Sequence, residues 1–170
     1  GKCSIIVGGW SNSLGNETCA VFIGGGQTNS ISNYAKYSVI NGGLANYIEE
    51  YNCYNVIGGG KRNAINMTFT CANVIAGGEE NNISNNYCTQ WQTISGGYAN
   101  TISGYNNYAN VIGGGTSNFV GGGNIGNAQT IGGGDHNYLT DSQHSTISGG
   151  YGNTITQISC SSTISGGYLN

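Results

Sequence analysis

Proline is missing altogether from the 170 residues, and only four Lys or Arg and seven Asp or Glu are present, 6% of the chain. Soluble domains ordinarily carry about a quarter charged residues, so this is not a typical globular surface. Intrinsic disorder is excluded by the same shortages, because disordered chains favour high net charge and proline, and the formal net charge here is only −3. Four cations leave little with which to neutralise phosphates, so no nucleic-acid partner is expected. No apolar run approaches the roughly 18 residues of a membrane-spanning helix, and no membrane insertion is expected. Neither an initiator methionine nor a signal-peptide pattern opens Gly1-Lys2-Cys3, so the chain reads as a mature or excised piece of a longer protein.

What is abundant is glycine, 32 residues. The every-third spacing of collagen is absent. Instead, glycine pairs recur from Gly8-Gly9 to Gly166-Gly167, and an isoleucine stands two residues before each: Ile6, Ile23, Ile40, Ile57, Ile75, Ile94, Ile112, Ile131, Ile147 and Ile164. Their successive spacings are 17, 17, 17, 18, 19, 18, 19, 16 and 17. Three residues after every pair comes an asparagine: Asn12, Asn29, Asn46, Asn63, Asn81, Asn100, Asn118, Asn137, Asn153 and Asn170. A second aliphatic follows two residues later, from Leu14 and Ile31 to Leu139 and Ile155. Composition does not shift along the chain, so residues 1–170 form a single repeat domain.

Each unit predicts two short strands and two turns. β-Branched residues precede the first isoleucine and suit a pleated surface. The glycine pair supplies a turn with positive φ angles, and a link of variable length returns the chain. Two glycines every 17 residues or so would break any helix before nucleation was offset. Stacked units therefore predict an all-β fold, a parallel β-solenoid of about ten rungs of 16–19 residues. Rungs about 4.8 Å apart would make a rod of roughly 45–50 Å. The repeating asparagine is expected to form a ladder whose amides satisfy one another at the turn.

The residue before each key isoleucine bears on assembly: Ile5, Phe22, Val39, Val56, Val74, Thr93, Val111, Thr130, Thr146 and Thr163. Neighbouring strand residues point to opposite faces, so this apolar or β-branched row faces away from the rung's own interior and asks for a second cover. The outer positions of the second strand, from Ser13 and Ser30 to Tyr138 and Thr154, are mixed and look solvated. The expectation is an oligomer with its axis along the rod and its first strands inward, as against a monomer with a threonine-rich exposed face.

The unit Thr-Ile-Ser-Gly-Gly-Tyr-x-Asn-Thr-Ile, at Thr93–Ile102 and Thr146–Ile155, resembles the tandem head repeats of trimeric autotransporter adhesins and related repeats of viral and phage fibres. The resemblance covers all ten units. It implies a left-handed parallel β-roll, three identical chains side by side, and surface attachment to a host glycan or protein receptor outside the cell or virion. These units are longer than the usual adhesin head repeat, and its small alanine positions are mostly replaced. No heptad stalk or membrane anchor is evident.

Six cysteines allow 15 pairings. Cys53 and Cys71, each four residues before a key isoleucine, are the expected disulfide, with Cys3–Cys19 next, because equivalent positions on adjacent rungs fall within bonding reach. Cys88 and Cys160 have no obvious partner in the chain, and reduced buried thiols are the alternative for all six. Lys61-Arg62 and Glu79-Glu80 occupy matching positions on adjacent rungs and predict paired opposite charges. Asp135-His136, and Asp141 with His144-Ser145, offer an acid, a base and a hydroxyl without an oxyanion element. The chain is therefore expected to be no enzyme, with no metal site and no cofactor.

The position after the glycine pair varies, and there Trp10, Tyr98, Tyr151 and Tyr168 are candidate ligand contacts for sugar rings or partner proteins. Packing of those tyrosines over the next rung's glycines is the alternative. The function expected is a structural or adhesive fibre segment, with a glycan- or ice-binding solenoid as the alternative. Ice binding would want an unbroken threonine row, and Val39, Val56, Val74 and Val111 interrupt it.

Overall fold

In a computed structural model, which describes residues 2–66, 71–85, 90–105, 108–123, 127–156 and 159–170, the chain is a parallel β-solenoid. The first strands of successive units, from Ile5–Ile6 to Thr163–Ile164, build one ten-stranded sheet in strict sequence order. The second strands, from Ser13–Leu14 to Thr154–Ile155, build a nine-stranded sheet in the same manner. Among the described residues there is no helix.

Register explains why the repeat is so strict. Every key isoleucine pairs with its counterpart one rung away, as in Ile40↔Ile57 and Ile57↔Ile75. A slip of one residue would turn the isoleucine row outward and the row before it inward. The inward side chains of both sheets form one core: Ile23, Ile40, Ile57, Ile75, Ile94, Ile112, Ile131 and Ile147 from the first, and Ile31, Ile48, Ile65, Ile83, Ile102, Val120 and Leu139 from the second, all with no exposed area. Each buried aliphatic is worth about 1.5–3 kcal/mol relative to exposure. Strands as short as two residues persist because the neighbouring rung supplies the burial that length cannot.

The rung is more symmetric than its sequence suggests. Lys61-Arg62-Asn63-Ala64-Ile65 and Cys53-Tyr54-Asn55-Val56-Ile57 run through the same five states. The first residue makes a β-bridge to the adjacent rungs, the second is left-handed, and the third is a buried amide. The fourth points outward and the fifth inward. Two extra bridge columns result, one from Trp10 through Lys61 to Tyr168 and one from Lys2 through Cys53 to Tyr108.

Both corners therefore place residues with a Cβ at positive φ. Thr28 (53°), Ala45 (57°) and Arg62 (53°) belong to one such column, and Ala20 (52°), Tyr37 (52°) and Tyr54 (57°) to the other. The glycine pairs supply positive φ as expected, and the left-handed backbone extends beyond them. The second glycine of a pair is the demanding one. Gly43 has φ of 92°, and a Cβ there would overlap the Gly60 carbonyl oxygen and crowd Asn46 Nδ2. The first glycine can be undemanding, for a Cβ at Gly133 meets nothing within 4 Å and its φ is not left-handed.

Candidate functional surfaces

The asparagine column at the glycine corner is a continuous hydrogen-bonded ladder. Asn46 N–H donates to Asn29 Oδ1 at 2.9 Å, and Asn63 N–H to Asn46 Oδ1 at 3.0 Å. The Asn46 amide donates twice, to the Gly42 carbonyl of its own turn (2.9 Å) and to the Gly60 carbonyl of the next (3.0 Å). Direct amide-to-amide bonds join in from Asn81 onward, for example Asn100 Nδ2 to Asn81 Oδ1 at 3.1 Å. The ladder is chiefly a set of amide-to-backbone bonds. Ordinary side-chain chemistry accounts for every recurrence from Asn29 to Asn153, all of them buried.

A second polar column, not recognised from the sequence, lines the other corner. Asn73 N–H donates to Asn55 Oδ1 (2.9 Å), Gln92 N–H to Asn73 Oδ1 (3.0 Å) and Gln129 N–H to Asn110 Oδ1 (2.8 Å). Ser38 and Ser145 do the same with hydroxyls. Its residues change from rung to rung, so no single letter recurs. The available signal was that Ser, Asn or Gln nearly always stands two before the key isoleucine. Here Asn55 Nδ2 and Asn110 Nδ2 find no partner among the described residues.

On the outward face of the first sheet, Phe22, Val39, Val56, Val74, Thr93, Val111, Thr130 and Thr146 are half-buried and form one column in register. Ile5 at its start is exposed, and so is Thr163 at its end. The second sheet's outer column satisfies its own side chains. Ser13 Oγ donates to Ser30 Oγ (2.8 Å), Ser32 Oγ to the Tyr47 hydroxyl (3.0 Å), and Phe119 stacks on Tyr138 at 4.7 Å. Among the described residues no side-chain hydrogen bond joins the members of the first sheet's row.

The four candidate contact aromatics occupy one bridge column but behave differently. Tyr151 stacks on Tyr168 at 5.2 Å, ring against ring. The Tyr98 hydroxyl donates to the Glu80 carboxylate, which raises the phenol above its ordinary range. Trp10 and Tyr168 are the most open, at 69% and 70%. Further aromatic stacks, missed in the sequence because they sit in the variable link, join Tyr34 to Tyr51 at 4.7 Å and Tyr37 to Tyr54 at 5.0 Å.

Cys53 and Cys71 form the expected disulfide, with Cα atoms 4.8 Å apart on neighbouring rungs. The Cys3–Cys19 pairing is not formed; both are free thiols, as is Cys160. The reason is register, because Cys19 bridges to Lys2, which leaves Cys3 one place past its would-be partner and in the left-handed position. Cys88 lies outside the described residues.

The charged ladder forms as expected. Lys61 Nζ meets Glu79 Oε1 at 2.6 Å, and Arg62 meets Glu80 Oε1 at 2.9 Å. Bonds from Arg62 and then Tyr98 hold the Glu80 carboxyl below its usual range. The residues that offered acid, base and hydroxyl are not brought together. Asp135 pairs with His136 on the exposed corner, Asp141 accepts the Gly123 N–H at 2.6 Å, and Ser145 is buried, its hydroxyl donating to backbone carbonyls. Among the described residues no three His, Cys, Asp or Glu cluster to hold a metal ion.

These features define a β-solenoid repeat protein with amide ladders at both corners. In comparisons with known proteins, no family model and no curated protein matches the chain.

Proposed function

We propose that the chain is a segment of a structural and adhesive surface fibre, a left-handed β-roll in which three copies stand side by side with their first sheets inward. The observation that carries this reading is the in-register outward column from Phe22 to Thr146, half-buried, β-branched after Phe22, and without side-chain hydrogen bonds within it among the described residues. A column of this length over the whole rod is what a parallel partner needs, since like residues meet like on each rung. The second sheet's outer column, which bonds to itself along the rod, would remain facing water. The Cys53–Cys71 disulfide is compatible with an extracellular setting. In this reading the chemistry is mechanical and the rod requires no cofactor.

Sedimentation velocity with and without reductant tests it. A trimer mass in both conditions is expected for the native chain, and Val56→Asp, which places charge in the column, should give monomers that retain the β spectrum. A native monomer in both conditions would defeat the trimer.

A further inference from the structure

Two of the four basic residues are ion-paired at the glycine corner, and the other two, Lys2 and Lys36, lie at the opposite corner in one bridge column two rungs apart. Neither makes an ion pair among the described residues. Lys2 lines a cleft of about 500 Å³ with Glu17, Thr18 and Cys19. Lys36 lines the adjoining cleft of about 350 Å³ with Tyr34, Tyr51, Asn52 and Cys53. The two stacked tyrosine pairs flank this column, one on each side, with interplanar angles of 8° and 10°.

Both ring columns stop at the same rung. One step toward the first rung, register places Glu17 where Tyr34 stands and Ala20 where Tyr37 stands. Tyr37 therefore has one face on Tyr54 and the other over Ala20, whose chain neighbour Cys19 lines the larger cleft. The slot above Ala20 is one ring high, because the column repeats a ring every 5.0 Å.

We propose that this corner binds a β-linked neutral oligosaccharide, with a sugar ring in the place a tyrosine at position 20 would take. A pyranose with equatorial substituents offers a flat C–H face to an aromatic ring and a rim of hydroxyls that both donate and accept. Tyr37 supplies the platform, and Lys2, Lys36 and Glu17 supply rim partners of both signs. An acidic glycan would meet Glu17, and an apolar protein segment would strip water from all three charges without pairing them. The proposal rests on the adhesive part of the reading above and not on the trimer, which sedimentation of the same samples reads separately.

The test is an NMR titration with cellohexaose and chitohexaose, and with a heparin hexasaccharide as the acidic comparison. At least one neutral oligosaccharide should shift the Tyr37 ring resonances. Ala20→Tyr should weaken that binding by about ten-fold, since it fills the slot with a residue whose backbone already has the φ of Tyr37. Tyr138→Ala, on the outer column of the second sheet, should leave it unchanged. If Ala20→Tyr does not fold, Tyr37→Ala decides by removing the platform, with the same ten-fold loss expected. No shift with either neutral sugar, a shift with heparin alone, undiminished binding in the folded slot or platform variant, or an equal loss in Tyr138→Ala would each overturn the proposal.

Discussion

At the scale of single residues, the two members of a glycine pair have different duties. Gly134 at φ of 89° approaches the Gly150 carbonyl so closely that a Cβ would displace the rung, and the Asn137 amide stands where that Cβ would point. Its neighbour Gly133 meets nothing. Gly133→Ala should therefore melt within a few degrees of the native protein, whereas Gly134→Ala should lose several kcal/mol, roughly the cost of overpacking together with left-handed strain. Thermal denaturation followed by circular dichroism distinguishes them, and equal losses would refute the distinction. The ladder amides are comparably exacting. Asn63 is buried, donates to the Gly59 and Gly78 carbonyls and accepts from Asn81. Asn63→Ala removes all of these and should cost about 1–3 kcal/mol for each buried group left unpaired. Asn63→Asp retains the acceptor but replaces the donor and adds a buried charge, so it should be the worse variant at neutral pH and recover partly in acid.

Glu80 is half-buried and answers to two rungs. Arg62 and Tyr98 both favour its charged form, so its folded pKa lies below the unfolded value. The unfolded chain then binds more protons as pH falls through that window, and stability falls with it. The contribution is present above the unfolded pKa and lost as pH drops through the folded one. Tyr98 is shifted the opposite way, so its share persists until pH rises through its raised folded pKa. Native protein should lose melting temperature between neutral pH and pH ~3, and Glu80→Gln should lose less over the same range. Equal slopes for the two would show that the carboxylate contributes nothing.

At the scale of elements, period and polarity made the strands readable. Isoleucine two before a glycine pair, asparagine three after it and an aliphatic two further on place both sheets, the core and the Cys53–Cys71 bond, because identical rungs put identical letters in contact. What stayed hidden was chemistry that uses different letters for one task. The Ser38, Asn55, Asn73, Asn110 and Ser145 side chains all accept a backbone N–H of an adjacent rung, but no alignment of single residues displays them as one column. The left-handed residues are hidden for the same reason, since Thr28, Tyr54 and Arg62 share a backbone state that their side chains do not advertise. Cys3 misled by a single place in register. A prediction follows from the backbone at these corners. Thr28→Gly relieves a β-branched residue at φ of 53° and should be neutral or stabilising by up to about 1 kcal/mol, despite the entropy that glycine ordinarily costs. A loss comparable to that of a core truncation would mean that Thr28 holds the corner by its side chain.

At the scale of the molecule, stability is distributed along one axis. Each rung touches only the rungs before and after it, so opening behaves as a sum of neighbouring terms and not as one global event. The buried column of the first sheet ends in an exposed partner, for Ile6 is 38% exposed on the first rung, against none for Ile57. Cutting Ile57 to alanine should then cost about 2–5 kcal/mol, because a cavity in a close-packed column cannot collapse. Ile6→Ala should cost much less. The disulfide lies in the same graded setting. It joins Cys53 to Cys71, 18 residues apart, and closing such a loop contributes about 3 kcal/mol on chain entropy. Reduction should therefore raise amide exchange at the rungs of Ile57 and Ile75, which flank the bond, and leave the rung of Ile147 unchanged. Hydrogen exchange by mass spectrometry, with and without a phosphine reductant, measures this rung by rung. An equal rise everywhere would mean that the rod opens as a single cooperative unit, and the nearest-neighbour account of its rigidity would have to be abandoned.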